Sequence, residues 1–234
     1  MNIGIILARA GSKRIKNKNI KTFFGKPLIY YSIETAKKTK IFDKIYVSTD
    51  SKKIKNIAEK YGAIVLKLRP KKYSSDKATT QSVIRYEANF IKKKFKSTNL
   101  NICCIYSTAP LLKPDTIRSA YKLFNKNKNY FIFPAVKFLK SVQRAFVTNN
   151  KKVITFLLPK YRYTNSQNLN DCYYDSGQFY WASSKVWLNK PFLYKSKIIE
   201  ICSNRAQDLD NIDDWKELKK KFYNEKKKNI NFRL

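Results

Sequence analysis

Apolar and polar positions follow one another in blocks along the first 137 residues of this 234-residue chain. NIGIILA, Asn2 to Ala8, is a nearly continuous apolar run that ends in a basic, glycine-containing loop. That is the pattern of a parallel strand covered on both faces, and it predicts a central strand. From Pro27, PLIYYSIETAKKTK carries apolar residues at helical spacing, with proline at the favoured first helical position. KIYVSTD reads as a strand, SKKIKNIAEKYG as a helix closed by Gly62, and AIVLKL as a third strand. TTQSVIRYEANFIKKKF reads as a helix entered through threonine, and NICCIYSTAP as a fourth strand. A helix after Pro114 leads to YFIFPAV. This alternation predicts an open, mostly parallel, doubly wound α/β sheet with its ligands at the carboxyl ends of the strands. The length fits a single domain spanning 1–234.

Beyond about residue 137 the alternation weakens. SVQRAFVTNNKKVITFLL predicts a hairpin with Asn149 and Asn150 in its turn, and this excursion, residues 138–160, could form an oligomer arm. GQFYWASSKVWL reads as a strand then a helix, KIIEI as a last strand, and NIDDWKELKKKFYNEKKK as a closing amphipathic helix. There is no internal repeat and no flexible linker.

Charge changes this picture less than its size implies. Fifty Lys and Arg face sixteen Asp and Glu, a net charge of +34, which ordinarily points to nucleic acid or an anionic membrane surface. Lysine, asparagine and isoleucine are abundant throughout, as expected of an AT-rich coding sequence filling neutral surface positions, so the excess reads first as a solvated basic face. The absence of histidine is more decisive. It excludes Ser-His-Asp and Cys-His catalysis and histidine-ligated zinc, leaving carboxylates, lysines, arginines, backbone amides and hard cations. Cys103, Cys104, Cys172 and Cys202 show no CxxC spacing and read as reduced, mostly buried thiols. No apolar run approaches the roughly 20 residues of a membrane span. A soluble, cytoplasmic protein with no membrane partner is expected.

Four stretches carry chemistry. In LARAGSKRIKNKN the loop residues Leu7, Ala8, Arg9, Ala10, Gly11, Ser12, Lys13, Lys18 and Asn19 follow the first strand. Backbone N–H groups there can turn onto an anion, and Arg9, Ser12, Lys13, Arg14 and Lys18 can add charge-assisted bonds to phosphate. The spacing is neither GxxxxGK[ST] nor GxGxxG; an ordinary basic surface loop is the alternative. In RAQDLDNIDDW, Asp208 and Asp210 stand at i and i+2, so an extended backbone points both carboxylates to one side, where a divalent cation could bridge them to phosphate oxygens. Helix capping is the competing role, and Asp213 and Asp214 fit it. LRPKKYSSDKATT brings Arg69 before a proline and Thr80 to a helix entry. NSQNLNDCYYDSGQFYW gathers Gln167, Tyr173, Asp175, Gln178, Phe179 and Tyr180, amides and polar aromatics that suit a hydroxyl-rich, amide-bearing substrate. A packed aromatic rim is its bland alternative.

LARAGSKRIKNKNIKTFFGKPLI, VSTD, LRP with SSDKATT, STAPL and QDLDNIDDW together resemble, in order and spacing, the CMP-sialic acid synthetase (acylneuraminate cytidylyltransferase) family across nearly the whole chain. YYDSGQFYW is similar to the branch acting on pseudaminic acid, whereas N-acylneuraminate enzymes usually carry an Asn-Gly-Ala-type segment. The resemblance implies a Rossmann-like sheet of the nucleotide-diphospho-sugar transferase type and transfer of CMP from CTP to a nine-carbon nonulosonic acid. It implies that Arg9, Ser12, Lys13, Lys18 and Asn19 bind CTP, that Arg69 and Thr80 help hold the nucleotide, and that Asp208 and Asp210 ligate Mg²⁺. Lys13 and Lys18 join the aspartates as catalytic candidates. It also implies a homodimer with the excursion reaching its partner. The chain departs from the pattern at Asn165-Ser166-Gln167, where relatives often carry arginine, at Asn168 and Asn170, and at Tyr106 in place of a glutamine. Enzymes for neuraminic, legionaminic or keto-deoxyoctulosonic acid are the near alternatives. A nucleic-acid-binding module is the distant one, without any RNP-like, helix-turn-helix or zinc pattern, so no nucleic acid is expected as partner.

Overall fold

In the computed structural model, which describes residues 1–96, 99–148 and 153–231, the apolar blocks become one sheet wound on both faces. Its strands are β1 (Asn2–Leu7), β4 (Lys44–Ser48), β5 (Asn101–Tyr106), β6 (Phe131–Lys137), β9 (Tyr173–Asp175), β10 (Phe179–Ser183) and β11 (Ser196–Glu200). The order is β11-β6-β10-β5-β1-β4, with β9 paired to β6. β1 pairs in parallel with β4 and β5, β11 in parallel with β6, and β10 runs antiparallel to both β5 and β6. The sheet is therefore mostly parallel, with one reversed strand at its centre. β1 is internal but only one strand from the β4 edge, a correction to its expected central place.

Alternation along each strand decides which helix covers which face. Ile6, Cys103, Ile105, Phe179 and Trp181 face one core, under α1 (Leu28–Thr39), α2 (Lys52–Lys60) and α4 (Pro114–Lys126). Ile3, Ile5, Ile102, Cys104 and Tyr180 face the other, under α3 (Thr80–Phe95) and α5 (Ser184–Asn189). Phe42, Phe124 and Trp181 stack in the first core at centroid distances of 5.3 and 5.5 Å. Phe124 and Trp181, both fully buried, each contribute about 1.5–3 kcal/mol. A third cluster lies at the carboxyl ends of the strands. There the closing helix α6 (Ile212–Asn231) sets Trp215, Leu218 and Phe222 against Ile15, Phe23 and Leu209. Phe23 belongs to a two-residue ribbon of β2 (Thr22–Phe23) and β3 (Lys26–Pro27).

Three expectations need correction. AIVLKL is no strand: a single parallel bridge joins Ile64 to Tyr46. Two ladder bonds, Val47 N–H to Ile64 and Ile64 N–H to Ile45, both 2.9 Å, are followed by departure of the backbone, whose Arg69 N–H reaches Thr49 at 2.7 Å. The chain thus leaves the edge to cross above β4, burying Val65 without a ladder. Pro27 caps α1 from an extended conformation rather than occupying its first turn. Cys103 and Cys104 are buried, and burial pushes both thiols up, but Cys172 is half-buried and Cys202 exposed; all four are free. The excursion is a separate ribbon of β7 (Phe146–Thr148) and β8 (Ile154–Phe156); Asn149 and Asn150, the expected turn, lie outside the described residues. Among the described residues no helix is long and apolar enough to cross a membrane.

Candidate functional site

The basic loop after β1 owes its shape to residues other than its charges. Ile15 is buried in the third apolar cluster, and Lys18 N–H closes on its carbonyl at 3.1 Å. Asn17 takes the left-handed conformation at φ 55°, which asparagine tolerates better than most residues. Asp50 accepts the Ala10 N–H at 2.8 Å, and Asn19 donates to the Arg9 carbonyl at 2.8 Å. Ser107 Oγ stands 2.8 Å from Asn19 Oδ1 and 2.7 Å from the Leu7 carbonyl. Asn19 is therefore engaged in holding the loop.

Beneath the loop lies a cavity of about 540 Å³, lined by Leu7, Arg9, Ser12, Lys13, Arg14, Lys18 and Asn19 from the loop. Arg69, Tyr73, Asp76 and Thr80 close it from the crossing segment, and Tyr106 and Ser107 from the end of β5. Ala8 is buried behind it, and Ala10 and Gly11 stand at its side, off the lining. A Cβ on Gly11 would meet nothing within 4 Å, so the backbone there is open to a ligand.

Acids organise the cations. Asp76 accepts from Arg9 Nη1 at 2.5 Å and pairs with Lys13 Nζ at 2.8 Å. These two partners hold its carboxyl down to about 2. Opposite, Arg14 pairs with Asp210 at 2.8 Å, and Lys18 Nζ donates to the Leu209 carbonyl at 2.6 Å. Burial lowers the Lys18 ammonium, against the pull of Asp210. Leu209 is 4% exposed while Asp208 and Asp210 are open, the alternation that sets both carboxylates on one side of an extended segment.

Burial raises the Asp208 carboxyl, and Asp210, Asp175 and Asp214 raise it further. Arg14 pairs with Asp210 and Lys18 lies near Asp208, and with Arg14 displaced the two hard oxygen donors suit a divalent cation. Among the described residues no group of three or more acidic or cysteine side chains forms a metal cluster. Asn211 and Asp214 share the capping role, and Asp213, expected to join it, instead pairs with Lys216 at 2.8 Å. Asn211 Oδ1 accepts from the N–H groups of Asp213 and Asp214, and Asp214 Oδ2 accepts from Asp210 and Asn211 at 2.7 and 2.9 Å.

The segment 173–181 touches this acid pair through a glycine. Gly177 sits at φ +62°, and a Cβ there would stand 2.5 Å from Asp208 Oδ1. Asp175 fixes the turn by accepting the Gly177 N–H at 2.9 Å, and its other oxygen accepts from Tyr180 OH at 2.5 Å. Tyr173 OH donates to Glu200 at 3.0 Å. The remaining candidates of NSQNLNDCYYDSGQFYW are not gathered here. Phe179 is wholly buried in the core, because β10 alternation points it under α4 and α1. Tyr180 is buried on the opposite face, and Gln178 is buried and donates to the Arg205 carbonyl. Gln167 is exposed in a turn, next to Ser166 in a hollow with Leu139 and Arg144 of the excursion.

Three groups escaped the sequence reading as site members. Asp76 was visible only as part of a helix entry, yet an acid in so basic a stretch is itself a signal. Glu87 carries none and Ser48 only its place in VSTD: both are brought to Arg69 by the fold. Arg69 is 5% exposed, and its Nη1 donates to Ser48 Oγ at 3.3 Å, which donates to Glu87 Oε1 at 2.7 Å. Burial lowers Arg69 and raises Glu87. Tyr106 OH shares a 2.7 Å hydrogen bond with Thr80, and burial pushes it up to about 12.

A family model described as cytidylyltransferase matches residues 3–229. The chain is 39% identical over 215 residues to a pseudaminic acid cytidylyltransferase of Campylobacter jejuni, covering 91% of this chain and 92% of that one. It is 30% identical over 221 residues to a CMP-N,N'-diacetyllegionaminic acid synthase of Legionella pneumophila, with 91% and 92% covered. Among solved structures, CMP:2-keto-3-deoxy-manno-octonic acid synthetase complexed with CTP matches at a TM-score of 0.72 and 13% identity, over 96% of this chain and 99% of that one. This last likeness is one of fold.

Proposed function

The chain belongs to the cytidylyltransferase family, and from that premise we propose that it transfers CMP from CTP to the anomeric hydroxyl of pseudaminic acid, releasing pyrophosphate. The observation that carries this reading is the place of Lys18. Its side chain lines the cavity, and its ammonium is bound to the carbonyl between Asp208 and Asp210. The phosphate end of the cavity and the acid pair are thus one site. The sugar is supported by the higher identity to the Campylobacter enzyme than to the Legionella one, 39% against 30%.

Attack by the sugar hydroxyl on the α-phosphorus is in line, so the protein's work is positioning and charge stabilisation. Arg9, Lys13 and Lys18 hold the phosphates, with Asp76 yielding its two cations as the triphosphate arrives. Arg69 and Thr80 hold the nucleotide deeper in. Asp208 and Asp210 hold Mg²⁺, a hard cation that supplies charge stabilisation to phosphate oxygens. Gly177 leaves room for the Asp208 carboxylate against the sugar loop. The β7–β8 ribbon presents Phe146, Val147 and Ile154 at 54, 45 and 60% exposure, and we assign it as the arm of a homodimer; Phe146→Ser with Ile154→Ser should give a monomer by sedimentation, and an unchanged mass would remove the arm. The product would feed surface-glycan synthesis from the cytoplasm.

The test is pyrophosphate release with CTP and Mg²⁺, offering pseudaminic, legionaminic, N-acetylneuraminic and keto-deoxyoctulosonic acids in parallel, with Asp208→Ala as control. Release with pseudaminic acid alone is expected. Release with another acid moves the specificity, and silence with all four in folded protein defeats the reading.

A further inference from the structure

We infer that Glu87, which does not itself line the cavity, is a positioning residue for the nucleotide, acting through Ser48 on Arg69. The inference rests on the nucleotide reading of the cavity and goes one layer behind it.

A carboxylate only accepts hydrogen bonds. With Glu87 Oε1 at 2.7 Å, the single hydroxyl proton of Ser48 is committed to it. The Ser48 oxygen is left with lone pairs, and Arg69 Nη1 donates to one of them at 3.3 Å. On the other side Arg69 Nε donates to Ser74 Oγ at 3.2 Å, and Ser74 Oγ donates to the Pro70 carbonyl at 3.2 Å. The direction of every proton in this network is thereby fixed.

Of the five N–H groups of a guanidinium, one on Nε and one on Nη1 are used in this way. The rest, both on Nη2 among them, have no hydrogen-bond partner among the described residues. Arg69 lines the cavity, so these groups form a donor fork for an acceptor-only part of the ligand, a phosphate or base-carbonyl oxygen. A planar fork recognises by angle as well as distance, so what sets its angle sets recognition. Ser48 and Glu87 do so from the end of β4 and from α3, two rigid elements packed across the second core. Asp50, and after it Glu87, offset the charge of a guanidinium that burial would otherwise penalise.

The test has two arms. In free protein, arginine-selective ¹⁵N NMR reads hydrogen exchange at Arg69 Nη1, the group bonded to Ser48; Glu87→Gln, which keeps an acceptor of the same shape, should speed it about tenfold, as should Ser48→Ala. Equilibrium dialysis with CTP and Mg²⁺ should show Glu87→Gln weakening binding about tenfold in the Arg69 protein but less than about twofold in an Arg69→Lys background. A purely structural Glu87 would lower both backgrounds alike. Unchanged exchange in both variants overturns the inference, as does equal weakening in both backgrounds. If wild-type protein binds no CTP but its Arg69 exchange responds, the relay stands and the nucleotide reading falls. Circular dichroism of each variant confirms folding, and Ser48→Ala serves if Glu87→Gln does not fold.

Discussion

The rim and the interior of the cavity hold cations by opposite means. At the rim Lys13 is 82% exposed and meets a half-exposed Asp76; inside, Arg69 is 5% exposed and is held through a hydroxyl by a buried glutamate. Exposed pairs are screened by salt and contribute little to stability, whereas removing one partner of a buried pair leaves an uncompensated charge. The rim is thus suited to gathering and releasing a polyanion, and the interior to fixing its orientation. Lys18, partly buried and bound to the Leu209 carbonyl, belongs to both.

The largest effect should come from that shared residue. Lys18→Gln should lower turnover by about 100-fold or more while leaving the melting temperature nearly unchanged, measured by pyrophosphate release beside thermal unfolding. A wild-type rate would return Lys18 to the rim. Next, Arg69→Ala should destabilise the fold by about 3 kcal/mol in urea, because Glu87 stays buried without its partner. Pairing it with Glu87→Ala should recover part of that loss, and full additivity would break the contrast. Smaller still, Asp76→Asn should tighten CTP binding by about threefold at low salt, with the difference vanishing near 1 M salt, since exposed charges are screened there. The smallest concerns pH. The Asp76 carboxyl is depressed to about 2, so its ion pairs are complete above the ordinary aspartate range and are lost only as pH falls toward about 2. A carbonyl-carbon titration by NMR should show this, and Lys13→Met should move the midpoint upward.

What was legible in the sequence divides along the same line. The loop, most of the strands and the shared side of Asp208 and Asp210 could be read because their signals are local: an apolar run, a charge cluster, an i,i+2 spacing. Antiparallel β10 could not be placed between β5 and β6, since strand order is fixed by long-range pairing that no local pattern records. AIVLKL has the composition of a strand, and only the route taken by Arg69 over the edge denies it a ladder. Phe179 looked like a ligand contact from its neighbours in sequence, but strand alternation turned it into the core. Glu87 was hidden because its importance lies in a hydroxyl from another strand. Asp208 and Gly177 become partners only through a contact between separate loops.

The bond from Lys18 to the Leu209 carbonyl joins residues 191 positions apart, and Ile15 and Leu209 share one apolar cluster. During synthesis, the basic loop leaves the ribosome well before the acid pair, which follows it by 191 residues. The interval lasts on the order of 10–40 s at ordinary elongation rates of ~5–20 residues per second. Until residue 209 has emerged and α6 has docked, the loop has its charges but not its floor. Until then the cavity is open on the side that Leu209 and the acid pair close.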